Sequence, residues 1–133
     1  MYVYADNAAT TAMSETALEA VLPCLREEYA NPSSLHTPGQ RAAEKLTEAR
    51  EVFARHLGAS PAEITFTSGG SESDNQALRS GAMLGLRKGK KHIISTKFEH
   101  HAVLHTLQAL EKEGFEVTLL DIPPDGVVTA EQV

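Results

Sequence analysis

The feature that most constrains the fold is a repeated switch between strand-like and helix-like hydrophobic patterns in the second half of the chain. Strand patterns at residues 64–67, 92–96 and 115–120 alternate with helical patterns at residues 71–86 and 101–113. This order is typical of a parallel sheet covered by helices, because neighbouring parallel strands need a long crossover connection. The sequence therefore predicts an α/β fold.

The first strand and helix of this series are joined by a turn rich in glycine and serine. Ser68, Gly69, Gly70 and Ser71 follow the strand pattern directly. The glycines can take φ > 0 and turn the backbone sharply, and Ser71 stands where a helix N-cap belongs. Helix N-termini expose unpaired N–H groups and a partial positive charge, and this geometry suits a phosphate.

Two interpretations of this turn remain open from its residues alone. A Gly-Gly-Ser turn before a helix is common as simple punctuation, and Glu72 and Asp74 would repel a phosphate unless they point away. The turn also lacks the Lys of a Walker A loop and the glycine spacing of a dinucleotide site. However, ligands of open α/β sheets bind at the carboxyl ends of strands, where both this turn and His100 fall. For His100 by itself, a core or surface role is the simpler interpretation.

The first half of the chain predicts two helices with loops before them. Ser14 is placed to cap a helix that runs to about Tyr29, and Thr37 is placed to cap a second helix that ends at Gly58. The single cysteine, Cys24, excludes an internal disulfide framework and a multi-cysteine metal site. It fits a packed side chain better than a nucleophile, because nothing nearby in sequence would stabilise a thiolate.

Composition narrows the classes of function. A length of 133 residues suits one small domain or part of a larger one, and 41% hydrophobic residues argue against disorder. The net charge of −6 gives no electrostatic reason to expect nucleic acid or anionic membrane as a partner. No apolar run is long enough to span a bilayer and no signal peptide is visible, so we expect a cytoplasmic protein.

Four segments, taken together, resemble the N-terminal portion of a cysteine desulfurase, a fold-type I enzyme of the class V aminotransferases that uses pyridoxal phosphate. They occur in family order at residues 6–11, 31–36, 66–75 and 99–103. The resemblance implies a partial parallel-sheet large domain with an N-terminal helix and loop segment. It divides the chain into an N-terminal segment with small-domain or active-site loops, 1–36, and an incomplete domain for binding pyridoxal phosphate, 37–133.

The resemblance also implies roles for individual residues. Gly70 and Ser71 match the pair that holds the phosphate of pyridoxal phosphate. His100 matches the histidine that stacks on the pyridine ring and moves protons, so the resemblance makes it both cofactor-binding and catalytic. The family's loops near the substrate pocket or the dimer interface correspond here to Asn7, Ala8 and His36. No metal site is implied.

Three groups of the family's chemistry have no match in this sequence. An enzyme of this kind needs a Schiff-base lysine and normally an aspartate at the pyridine nitrogen, and a desulfurase also needs a mobile cysteine nucleophile. In the family, all three lie beyond the motifs present here, and Cys24 is not at the nucleophile position. The lysines that match no such motif are Lys45, Lys88, Lys90, Lys91, Lys97 and Lys112.

The resemblance implies the N-terminal part of an enzyme that converts L-cysteine to L-alanine and passes persulfide sulfur to an acceptor, for iron–sulfur cluster or thiocofactor supply. Alone, this chain is expected to be inactive. The implied partners are L-cysteine, a sulfur-acceptor or scaffold protein, and a complementary C-terminal chain or homodimer partner, with neither nucleic acid nor membrane. The alternative is a non-catalytic truncated paralogue that docks on a full-length desulfurase. A nucleotide-binding α/β domain would lack its glycine fingerprint.

Overall fold

A computed structural model describes residues 1–133, and the chain divides into two compact units, residues 1–65 and 66–133. The functional division after residue 36, which rests on the family resemblance, stays a prediction. None of the helices combines the length and the apolar character that crossing a membrane would require.

The first unit contains the helices α1 (Glu15–Arg26) and α2 (Thr37–Leu57) and a short 3-10 turn (Pro61–Glu63). Ser14 caps α1 as predicted, because its hydroxyl accepts the N–H of Ala17 at 3.3 Å. The helix ends at Arg26, before the predicted Tyr29, because the N–H groups of the next two residues both turn back to one carbonyl, that of Pro23. Cys24 is half-buried in α1, and its thiol donates to a backbone carbonyl of the same helix at 3.7 Å.

The second helix starts one residue earlier than predicted. His36, not Thr37, is the N-cap, because its extended backbone (φ −78°, ψ 160°) lets Nδ1 accept the N–H of Gly39 at 3.3 Å. Gly39 is buried against the preceding loop, where an added Cβ would lie 2.5 Å from the carbonyl oxygen of Ser34. Gly58 closes the helix as predicted, with φ +66° in the left-handed region that favours glycine.

The strand predicted at residues 64–67 does not form. Ile64 has extended dihedral angles (φ −92°, ψ 119°), but the sheet consists of two other strands, which this segment does not join. The side chain of Arg50 donates to the carbonyl of Ile64 at 3.3 Å instead. An extended segment forms a β-strand only when its backbone N–H and C=O groups pair with those of a neighbouring strand.

The second unit contains the alternating elements that the hydrophobic pattern predicts. They are α3 (Gly70–Arg87), β1 (His92–Thr96), α4 (His101–Lys112) and β2 (Glu116–Leu120), followed by a 3-10 turn, Ala130–Gln132. The two strands pair in parallel. Their register runs from His92 opposite Glu116 to Thr96 opposite Leu120. The predicted bounds of all four elements agree with the structure to within one residue.

A small apolar core fixes these elements as one body. Ala82 of α3, Leu110 of α4 and Phe115 are buried together, and Leu86 and Ile93 pack against them. Burial of a side chain as large as leucine stabilises the fold by about 2 kcal/mol. The carboxyl ends of the two strands therefore lie side by side, and the turn that follows β1 leads directly into α4.

Candidate cofactor site

The N-terminus of α3 differs in detail from the sequence prediction. Gly69 is the N-cap, with extended backbone (φ 165°, ψ 175°), and Ser71 is the second helical residue, not the cap. Neither Gly69 nor Gly70 adopts the left-handed conformation expected of them; the glycines that do are Gly58, Gly89, Gly114 and Gly126. The chain passes from extended directly into helical backbone, so the turn needs no left-handed residue. The N–H groups of Gly70 and Ser71 donate no hydrogen bond within the chain.

Side chains on either side of the glycines close this turn. The carboxylate of Glu72 accepts the backbone N–H of Ser68 at 2.7 Å and its hydroxyl at 2.5 Å. These two hydrogen bonds hold the pKa of Glu72 below its usual value, and the bond from the hydroxyl of Ser68 has the larger effect. Thr67 adds a second link, because its Oγ1 donates to the carbonyl of Gly69 at 3.1 Å and lies 2.6 Å from the hydroxyl of Ser73.

A polar groove of about 370 Å³ within the second unit contains both Ser71 and His100. Neither Gly70 nor Glu72 is among the residues that line it. The fold thus brings together two predicted site residues that lie on different helices. The carboxylate of Glu72 is bonded to Ser68 and does not line the groove.

His100 is the N-cap of α4. Its Nδ1 accepts the N–H of Ala102 at 3.1 Å, so the neutral imidazole carries its proton on Nε2. The ring of His101 lies 6.1 Å from that of His100, between ring centroids. His101 in turn stacks on His105 with centroids 5.6 Å apart and planes inclined by 23°. The capping bond leaves Nε2 of His100 as a hydrogen-bond donor.

The groove also contains polar residues that the sequence analysis did not single out: Asn75, Arg79, His101, His105 and Thr106. Asn75 donates from its side chain to the carbonyl of Ser71 at 2.9 Å, and Arg79 forms an ion pair with Glu113 at 3.0 Å. Their spacing was a usable signal, since residues four apart lie on one face of a helix. The three groove residues of α3 are each four positions apart, and so are the two histidines of α4.

The remaining residues matched to the family lie in the first unit. Asn7 and Ala8 occupy an exposed turn, which the N–H of Ala9 closes on the carbonyl of Asp6 at 3.2 Å. His36 is exposed, and its Nδ1 is used as the cap of α2. The roles of these loops near a substrate pocket or dimer interface stay predictions.

The groups in the second unit fit the phosphate and the aromatic ring of pyridoxal phosphate. Two backbone N–H groups and the hydroxyl of Ser71 are free of bonds within the chain, which is the donor set that a phosphate needs. The imidazole of His100 lines the groove that contains Ser71. The volume of this groove falls within the roughly 300–1,000 Å³ typical of small-molecule sites.

Comparison with known proteins places these features in a family. The family described as aminotransferase class-V matches residues 3–133. The chain is 46% identical over 131 residues to a putative cysteine desulfurase, IscS 1, of Bacillus subtilis (strain 168), and this match covers 98% of the chain and 34% of the relative. It is also 46% identical to the cysteine desulfurase IscS of Methanosarcina thermophila, with 98% and 32% covered.

Solved structures agree with the sequence relatives. A NifS-like protein superposes with a TM-score of 0.92 at 42% identity, over 99% of this chain and 36% of that one. A structure described as SspA in complex with cysteine superposes with a TM-score of 0.86 at 40% identity, over 94% of this chain and 36% of that one.

The chain therefore spans about a third of the length of the relatives that it matches. The predicted resemblance and the predicted α/β fold, that of a fold-type I transferase, are both confirmed. From its sequence match, its superposition and its pairing of strands, this chain belongs to the aminotransferase class-V family.

Proposed function

We propose that this chain forms the phosphate-binding and ring-stacking part of the cofactor site of a cysteine desulfurase that uses pyridoxal phosphate. The observation that carries this proposal is the shared groove of Ser71 and His100, which lie on two different helices. The similarity to desulfurases over 131 residues supports the choice of reaction within the family.

The N-terminus of α3 receives the phosphate in this proposal. The N–H groups of Gly70 and Ser71 and the hydroxyl of Ser71 donate to the phosphate oxygens, and the positive end of the helix dipole adds to the attraction. Hydrogen bonds to a charged group each contribute about 1.5–3 kcal/mol. Three such donors hold one end of the cofactor firmly enough to orient the rest.

The imidazole of His100 would stack on the pyridine ring of the cofactor and transfer protons. Because Nδ1 accepts the N–H of Ala102, Nε2 is the atom that carries and donates the proton. Bound pyridoxal phosphate supplies an electron sink for chemistry at the substrate's α-carbon. His100 is therefore the catalytic residue that this chain contributes, and Gly70, Ser71 and His100 are its cofactor-binding residues.

The whole reaction converts L-cysteine to L-alanine and passes the sulfur to an acceptor or scaffold protein in the cytoplasm, for iron–sulfur cluster or thiocofactor supply. Residues 1–133 contain no match for the Schiff-base lysine, the aspartate or the nucleophilic cysteine. These groups come from sequence outside this range, such as the proposed complementary C-terminal chain, because a second copy of residues 1–133 would lack them too. A structural neighbour described in complex with cysteine supports this substrate. No observation on this chain favours the alternative of a non-catalytic interaction module.

The test is complementation. Assayed alone with pyridoxal phosphate and L-cysteine, the chain is expected to release no sulfide. Mixed with the remaining two-thirds of the Bacillus subtilis relative, it is expected to release sulfide and alanine in equal amounts. His100→Ala should then lower kcat about 100-fold or more, as expected for loss of a proton-transfer group.

Ser80→Ala is the matched control for Ser71→Ala, because Ser80 lies on the same helix but does not line the groove. Only the Ser71 variant should weaken cofactor binding in the mixture. Sulfide release by the pure chain alone, or full turnover by a mixture that contains the His100 variant, would contradict the proposal.

A further inference from the structure

The turn before α3 has little steric constraint of its own. An added Cβ at Gly69 or at Gly70 would meet nothing within 4 Å, and both residues are exposed. Glycine has more backbone freedom than any other residue, so two in succession leave the direction of the following N–H groups poorly defined. Something other than packing has to fix this segment if its amides are to face a ligand.

Glu72 bridges the two glycines. Its carboxylate reaches back from the first turn of α3 to both donors of Ser68, at 2.7 and 2.5 Å, and so closes a ring around Gly69 and Gly70. The link from Thr67 to Ser73 spans the same segment from one residue further out on each side. The ends of the turn are therefore tied together, although its middle is unpacked.

We propose that Glu72 is a positioning residue, whose bridge to Ser68 holds the N–H groups of Gly70 and Ser71 in the orientation that binds the cofactor's phosphate. This inference rests on the proposed function and adds to it a residue that does not itself touch the ligand. Glu72 does not line the groove that contains Ser71 and His100.

The negative charge of Glu72 acts in the opposite sense, because it repels a phosphate. Between exposed groups this repulsion is weak, because water and salt screen it. Loss of the two hydrogen bonds to the carboxylate also releases the glycines between Ser68 and Glu72, so the N–H groups lose their fixed direction. We therefore expect the loss of position in Glu72→Ala to outweigh the loss of repulsion.

The first unit offers a matched control. Glu63 closes the 3-10 turn in the same way, accepting the N–H and the hydroxyl of Ser60 at 2.7 and 2.8 Å. Each of the two carboxylates accepts from the N–H and the hydroxyl of a serine, each is exposed, and each has a lowered pKa. Only the ring closed by Glu72 contains the proposed phosphate donors, Gly70 and Ser71.

The experiment measures the Kd of the full chain for pyridoxine 5′-phosphate and for pyridoxine by equilibrium dialysis. These probes lack the aldehyde, so they do not react with surface lysines, and the ratio of their affinities isolates the phosphate contribution. We expect the wild-type chain to prefer the phosphorylated probe. Glu72→Ala should lower that preference about tenfold, the equivalent of one charged hydrogen bond, whereas Glu63→Ala should leave it unchanged.

Glu72→Gln separates position from charge. Its amide oxygen still accepts one of the Ser68 donors, so we expect it to retain most of the preference. If Glu72→Ala does not fold, Glu72→Asp replaces it, because the shorter side chain cannot span the glycines. An unchanged or increased preference in the Ala or Asp variant would overturn the positioning role alone. A wild-type chain that binds both probes equally would overturn the proposed function, and this inference with it.

Discussion

Helices α2 and α4 begin in the same way, each capped by a histidine whose Nδ1 accepts a backbone N–H, at 3.3 Å for His36 and 3.1 Å for His100. Their surroundings differ. Beside His36, the buried Gly39 packs tightly on the preceding loop. His100 lines an open polar groove with Ser71. The same local device thus stands beside a tightly packed glycine in one unit and on a groove in the other, and only its environment tells the two apart.

The largest expected effect tests the packing side of this contrast. Gly39→Ala would place a Cβ 2.5 Å from the carbonyl oxygen of Ser34 and 2.8 Å from that of Asn31. We expect a loss of about 1–3 kcal/mol in the free energy of unfolding, as for overpacked cores, measured by urea denaturation. Gly81→Ala is the control, because a Cβ there meets nothing within 4 Å and alanine favours the helix. A Gly39 variant as stable as wild type would show that the start of α2 is not tightly packed.

The next effect compares the two caps directly. His36→Ala and His100→Ala should each lower the free energy of unfolding by about 1 kcal/mol, the usual value for loss of a helix N-cap. Only the His100 variant should also weaken binding of pyridoxine 5′-phosphate, because its ring lines the groove. The same equilibrium dialysis measures probe binding by both variants, and urea denaturation measures their free energies of unfolding. If the His36 variant weakens binding as much, the contrast between the two caps fails.

The smallest effect concerns acid stability. The hydrogen bonds from Ser68 and Ser60 lower the pKa values of Glu72 and Glu63, so each bonded carboxylate stabilises the fold above its unfolded pKa. This contribution is lost as the pH falls below about 4.5 and through the lower folded pKa. We therefore expect Glu72→Gln and Glu63→Gln to make urea unfolding slightly less dependent on pH in the acid range. An acid limb as steep as that of the wild type would contradict this prediction.

Much of the second unit could be predicted from the sequence because its signals are local. The bounds of α3, β1, α4 and β2 follow from hydrophobic periods and from breakers such as Gly114. The segment at residues 64–67 has the composition of a strand and yet is none, because strand formation depends on a partner that no local pattern reveals.

Whether the two predicted site residues lie together also depends on contacts between distant parts of the chain, which no local pattern reveals. Ser71 and His100 were matched to a family motif, and the structure adds that one groove contains them both. The bridge of Glu72 to Ser68 was not predicted, although a glutamate in the first helical turn is a known signal of capping. Its partner here precedes the N-cap residue, so the usual spacing did not point to it.

The sequence by itself determined the alternating elements from α3 to β2 and several helix ends, because these depend on side-chain periodicity and on caps within a few residues. Its motifs also indicated the family. Only the tertiary structure decided which extended segments became a sheet, which capping histidine lies on a groove, and which residues of α3 and α4 share it. These depend on groups far apart in the chain, and burial of residues such as Leu110 and Phe115 brings them together.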